Sequence, residues 1–66
     1  MELRVNGDWR PFADGATVAQ VLAELGTEPR GVAVAVDGQV VRRGAWADTV
    51  LAPGAQVEVL TAVQGG

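Results

Sequence analysis

Asp14-Gly15-Ala16-Thr17-Val18-Ala19-Gln20-Val21-Leu22-Ala23-Glu24-Leu25-Gly26 is the stretch that decides the fold. Val18, Val21, Leu22 and Leu25 fall at i, i+3, i+4 and i+7, which puts one apolar stripe along a helix. Thr17 stands where a capping hydroxyl is needed. Gln20 follows three residues later and completes a capping box. Gly26 is placed to end the helix in the left-handed conformation, and Pro29 keeps it from resuming. This is the main helix of the chain, and everything on either side of it reads as strand and turn.

Before the helix, Glu2-Leu3-Arg4-Val5 alternates polar and apolar residues, the period of a half-buried strand. Asn6-Gly7 predicts a type I′ hairpin turn, whose central residues both need positive φ. Trp9 to Phe12 returns as the second strand. Pro11 lacks a ladder donor, which predicts an edge position. After the helix, Gly31 opens Val32-Ala33-Val34-Ala35-Val36, a central strand with Val34 and Val36 towards the helix. Asp37-Gly38 is a second hairpin signal, and Gln39 to Arg42 a short return. Arg43 to Leu51 is irregular or a single helical turn, anchored by Trp46 and Leu51. Pro53-Gly54 fits the centre of a type II turn. Gln56 to Val63 closes the chain as a strand, with Val57, Val59, Thr61 and Val63 on one face and Glu58, Leu60 and Ala62 on the other.

The elements run ββαββ. They predict an α+β domain, a mixed sheet of four to five strands with one main helix on one face. One helix cannot cover two faces. The other face is left with Ala33, Ala35, Leu60 and Ala62, a small apolar patch suited to docking a partner. Residues 1–62 form this domain, and 63–66 form a flexible tail, Val63-Gln64-Gly65-Gly66.

Composition removes most other chemistry. The chain has 66 residues, no Cys and no His. A thiol nucleophile, a disulfide framework, an imidazole base and a Cys- or His-based metal site are thereby excluded. A domain this small buries only about 60% of its unfolded surface, so packing alone must hold it. Twelve Val favour strands. The glycines are spread among turns, with no phosphate-binding loop. Five basic residues, all Arg, face eight acidic ones, for a net charge of −3. That balance argues against a nucleic-acid partner. Arg42-Arg43 is the only basic pair and is open to an acidic partner. No stretch is long enough to span a membrane, and the start lacks a signal-peptide core, so a cytoplasmic protein is expected. No Lys is present to accept an acyl group from another copy.

The group left with chemistry is the α-carboxylate of Gly66. Gly65 and Gly66 carry no side chains, so such a tail fits a channel too narrow for a Cβ. At neutral pH the carboxylate is ionised and is a poor electrophile. It needs activation, and adenylation with ATP provides it.

This ordered set resembles the ThiS family, the β-grasp, ubiquitin-like sulfur carriers of thiamine thiazole biosynthesis. The likeness covers the whole chain. It rests on Gly15-Ala16-Thr17-Val18, Leu22 to Leu25, Val34-Ala35-Val36-Asp37-Gly38, Val40-Val41-Arg42-Arg43, Trp46, the turn at Gly54 and the closing Gly65-Gly66. Two departures are Arg42-Arg43, where the family commonly has Pro-Arg, and Gly54-Ala55, where it has Gly-Asp. The resemblance implies a protein co-substrate rather than an enzyme, binding no cofactor of its own and no metal. A ThiF-like adenylyltransferase consumes ATP to activate Gly66. Sulfur from a cysteine desulfurase persulfide yields a C-terminal thiocarboxylate, and a ThiG-like thiazole synthase takes the sulfur. Gly65 and Gly66 are then the reactive end. Ala33, Ala35, Leu60, Ala62, Val63 and Gln64 are the expected partner contacts. Three other uses of such a chain stay open: a carrier for molybdopterin or a sulfur-containing natural product, a ubiquitin-like modifier, and a non-covalent binding module.

Overall fold

Asn6 and Gly7 take φ values of 49° and 87°, and Asp37 and Gly38 take 49° and 84°. Positive φ at both central residues is the type I′ geometry, whose twist matches that of the flanking strands. In this computed structural model, which describes residues 1–28 and 30–61, the two turns close two antiparallel hairpins. The first joins β1 (Glu2–Val5) to β2 (Asp8–Pro11), and the second joins β3 (Val32–Val36) to β4 (Gln39–Val41). Helix α1 (Val18–Glu24) lies between the hairpins in sequence. A 3₁₀ helix, Arg43–Asp48, and a last strand β5 (Gln56–Thr61) follow them. The described strands number five; β5 is the closing strand expected from Gln56, so the order is ββαβββ, one strand more than the ββαββ count.

The sheet order is β2-β1-β5-β3-β4. β5 runs parallel to β1 and antiparallel to β3, so the sheet is mixed. The middle position belongs to β5, and β3 lies beside it, one place off the centre expected for it. Apolar content alone does not separate these two interior strands. What separates them is the parallel pairing of Arg4 with Gln56 and Val5 with Val57, a long-range contact. β2 is at the edge, as Pro11 requires. It begins and ends one residue earlier than expected, and Phe12 drops into the core just past it, its N–H donating to the Met1 carbonyl at 2.7 Å.

Helix α1 starts and stops by the expected chemistry. Thr17 Oγ1 accepts from the Gln20 N–H at 3.2 Å, and Gln20 Oε1 accepts from the Thr17 N–H at 2.8 Å. Two donors at the helix start are thereby satisfied. At the other end the Gly26 N–H donates to the Ala23 carbonyl at 3.1 Å and the Thr27 N–H to the Leu22 carbonyl at 3.1 Å. That pair of bonds is a Schellman motif. Pro29 lies outside the described residues. Replacing Thr17 by Ala is expected to cost about 1 kcal/mol, lowering the melting midpoint by about 4–8 °C in a domain of this size. Thermal melting by circular dichroism reads this directly. An unchanged midpoint contradicts the role given to the cap.

Val18, Val21 and Leu22 face the sheet and are buried with Leu3, Val5, Val34 and Val57. Leu25 is partly buried at the end of the stripe. The segment after the 3₁₀ helix is stitched to the entry of α1. Val18 N–H donates to the Thr49 carbonyl at 3.0 Å and Leu51 N–H to the Ala16 carbonyl at 2.9 Å. Trp46 and Leu51 are buried there, as anchors. The Ala55 N–H closes the Pro53-Gly54 turn onto the Ala52 carbonyl at 3.1 Å, and Gly54 takes the positive φ that a type II turn needs at its third residue. Among the described residues no polar or charged side chain is buried.

Candidate functional site

The helix covers the face of the sheet that holds Leu3, Val5, Val34 and Val57. Successive strand residues point to opposite faces, so their neighbours make up the uncovered face. Leu60 is paired with Ala33, and Glu58 with Ala35, across β5 and β3. Ala35 is paired in turn with Val40 of β4. The result is a patch of Leu60, Ala33, Ala35 and Val40 with Glu58 at its margin. Leu60 is 65% exposed and Val40 79%, so large apolar side chains lie open on this face. A shallow hollow lined by Gly31, Val32, Ala33, Leu60 and Thr61 lies beside it. It sits where β5 ends and the chain runs on into residues 62–66.

Three of the residues singled out in the sequence, Ala33, Ala35 and Leu60, are thus brought together. Ala62, Val63, Gln64, Gly65 and Gly66 lie outside the described residues, as does the expected continuation of the last strand to Val63. Two residues of the face were not singled out. Val40 joins it because a two-residue turn at Asp37-Gly38 sets Val36 opposite Gln39 and so Ala35 opposite Val40. By the same count Asn6-Gly7 sets Arg4 opposite Trp9. Trp9 is 56% exposed, and the Arg4 guanidinium carbon lies 6.0 Å from its ring centroid, at the outer limit of a cation–π contact. Hairpin register was the available signal in both cases. Arg42 and Arg43 are exposed at the start of the 3₁₀ helix.

The face is built of apolar side chains, with Glu58 at its margin. Among the described residues no group of His, Cys, Asp or Glu is gathered to hold a metal. No helix among them is long and apolar enough to cross a membrane. What the domain offers is an exposed apolar patch that includes Leu60 of β5, the last described strand.

Comparison with known proteins agrees along the full length. The chain is 30% identical over 66 residues to the sulfur carrier protein ThiS of Escherichia coli (strain K12), covering all of both. It is 39% identical over 62 residues to the sulfur carrier protein ThiS of Thermus thermophilus, covering 94% of this chain and 95% of that one. A thiazole synthase of Paramagnetospirillum magneticum is 33% identical over 66 residues; all of this chain matches, and it spans 20% of that protein's length. The crystal structure of the thiamine biosynthesis protein ThiS from Geobacter metallireducens superposes with a TM-score of 0.85 at 32% identity, covering all of both chains. Its match bears out the β-grasp arrangement of one helix on a five-stranded mixed sheet. The ThiS family model matches residues 3–66, and the chain belongs to the ThiS family.

Proposed function

We propose that this chain is a sulfur carrier for thiamine biosynthesis, a co-substrate whose working group is the Gly66 carboxylate. The observation that carries the reading is the match, over the whole of both chains, to a sulfur carrier protein. The domain adds an exposed apolar patch on β3, β4 and β5 that we read as the docking face. In the proposed cycle a ThiF-like adenylyltransferase transfers AMP from ATP to the carboxylate, releasing pyrophosphate. The terminal sulfur of a cysteine desulfurase persulfide attacks the acyl carbon and AMP leaves. Cleavage of the remaining S–S bond by a thiol frees a thiocarboxylate. A ThiG-like thiazole synthase accepts the sulfur. That a thiazole synthase contains a stretch similar to this whole chain favours thiazole formation over other sulfur-requiring pathways. The absence of Cys fits a carrier that holds sulfur on its C-terminal acyl carbon rather than on a thiol of its own.

The test is the intact mass of the protein purified from its host. A carrier shows a fraction heavier by the difference between sulfur and oxygen, mapped to the C-terminal peptide. A carboxylate alone, in cells making thiamine, overturns the reading, and branched conjugates point to a protein modifier instead.

The docking face makes a separate prediction. Leu60 is exposed on the patch, so Leu60→Arg leaves the core untouched. Placing a charge against an apolar partner surface is expected to weaken binding to the adenylating enzyme by about 1–2 kcal/mol or more, roughly tenfold in Kd. Titration calorimetry measures it, with a melt to show an intact fold. Unchanged affinity places the docking face elsewhere.

A further inference from the structure

The backbone ladder between β1 and β5 is short. Arg4 N–H donates to the Ala55 carbonyl at 3.0 Å and Asn6 N–H to the Val57 carbonyl at 2.9 Å. A next rung, at Val59, calls for another residue of β1, but the chain has already reversed at Asn6-Gly7. The Asn6 side chain fills the rung. Its Oδ1 accepts from the Val59 N–H at 2.8 Å, and its Nδ2 donates to the Val59 carbonyl at 3.1 Å. A carboxamide carries the same donor and acceptor as a peptide group, so it stands in for the missing backbone. Asn also tolerates the left-handed φ of 49° that the turn imposes. The other hairpin makes a matching contact at the start of β5. Asp37 N–H donates to the Gln56 carbonyl at 2.8 Å, and Asp37 Oδ1 accepts from the Gln56 N–H at 2.9 Å. Turn residues of both hairpins thus grip β5, one at its first residue and one two residues short of Thr61.

We propose that Asn6 is a positioning residue for activation of Gly66, acting through β5. This rests on the carrier reading above. Beyond Val57 the described part of β5 has β3 on one side and only the Asn6 carboxamide on the β1 side. The rung at Val59 holds β5 from the β1 side two residues before its last described residue, Thr61. Without the carboxamide the Val59 rung is lost on the β1 side, and beyond it β5 is paired only with β3, at Leu60 and Thr61. Displacement of a reacting atom by about 1 Å is enough to cost roughly a hundredfold in rate. The grip therefore bears on turnover of the docked carrier rather than on its docking.

The test uses the full 66-residue chain with Asn6→Gly, which keeps the turn conformation and removes the carboxamide, and Asn6→Asp, which keeps the acceptor and loses the donor. Amide hydrogen exchange at Val59 is read against Val21, whose N–H donates to Thr17 within the capped helix. ATP–pyrophosphate exchange with the activating enzyme is measured over a range of carrier concentrations. In Asn6→Gly, exchange at Val59 rises at least tenfold relative to Val21, and kcat falls about tenfold while KM for the carrier holds. Asn6→Asp falls between this variant and the wild type. Unchanged exchange at Val59 overturns the grip. Faster exchange with an unchanged kcat overturns the positioning role. If the wild-type chain supports no pyrophosphate exchange, the carrier reading fails and takes the positioning role with it, while the Val59 measurement still decides the grip.

Discussion

Deletion of Gly66 is expected to abolish ATP–pyrophosphate exchange with the activating enzyme and to leave the melting curve unchanged. One residue of extended chain is about 3.3–3.6 Å. Deletion therefore draws the carboxylate back by several times the displacement of about 1 Å that already costs roughly a hundredfold. Adding a residue after Gly66 places a peptide bond where the carboxylate must be, and Gly65→Val adds a β-branched side chain to a segment proposed to enter a narrow channel. All three lose activity for one reason: the carboxylate oxygen no longer reaches the α-phosphorus in line. Stability is spared because the buried core described here ends, in sequence, at Val57. Substantial exchange with the deleted or the extended chain overturns the idea of a length-matched reactive arm.

Local chemistry made the elements legible. Asn6-Gly7, Asp37-Gly38, the Thr17/Gln20 box and Gly26 each act over a few residues, and each does in the fold what its sequence predicts. The order of strands was harder to read. The place of β5 between β1 and β3 depends on pairing residues more than fifty positions apart, Arg4 with Gln56, and no local signal carries that. For the face, period-2 alternation put Ala33, Ala35 and Leu60 together. Val40 and Trp9 needed one more step, counting register outwards from each turn. The grip of Asn6 on Val59 was invisible for a different reason. The turn reading already accounts for an Asn before a Gly, and nothing in the sequence says that its side chain also completes a neighbouring ladder.

Trp46→Ala is expected to remove most of the stability of the domain. The indole is 5% exposed, and its Nε1 donates to the Val41 carbonyl at 2.8 Å. It is the buried residue of the 3₁₀ helix, which has no side-chain cap at its start. It belongs to the same buried cluster as Val18, Val21 and Leu22 of α1, so one ring ties the 3₁₀ segment both to the helix and to the end of β4. Truncating a buried Trp to Ala costs about 3–5 kcal/mol. A chain of this length has roughly 3–10 kcal/mol in all, at about 0.05–0.15 kcal/mol per residue. The variant should therefore be partly unfolded at 37 °C. Trp46→Phe separates packing from hydrogen bonding: it keeps an aromatic ring in the core and loses the donor, for which about 0.5–1.5 kcal/mol is the usual loss. Urea unfolding followed by far-ultraviolet circular dichroism reads both, with equal slopes required for the comparison. That signal also avoids confusion with the emission of the exposed Trp9. If Trp46→Ala costs no more than Trp46→Phe, the segment from Arg43 to Leu51 is held by its backbone bonds to Ala16 and Val18, and the anchor lies there instead.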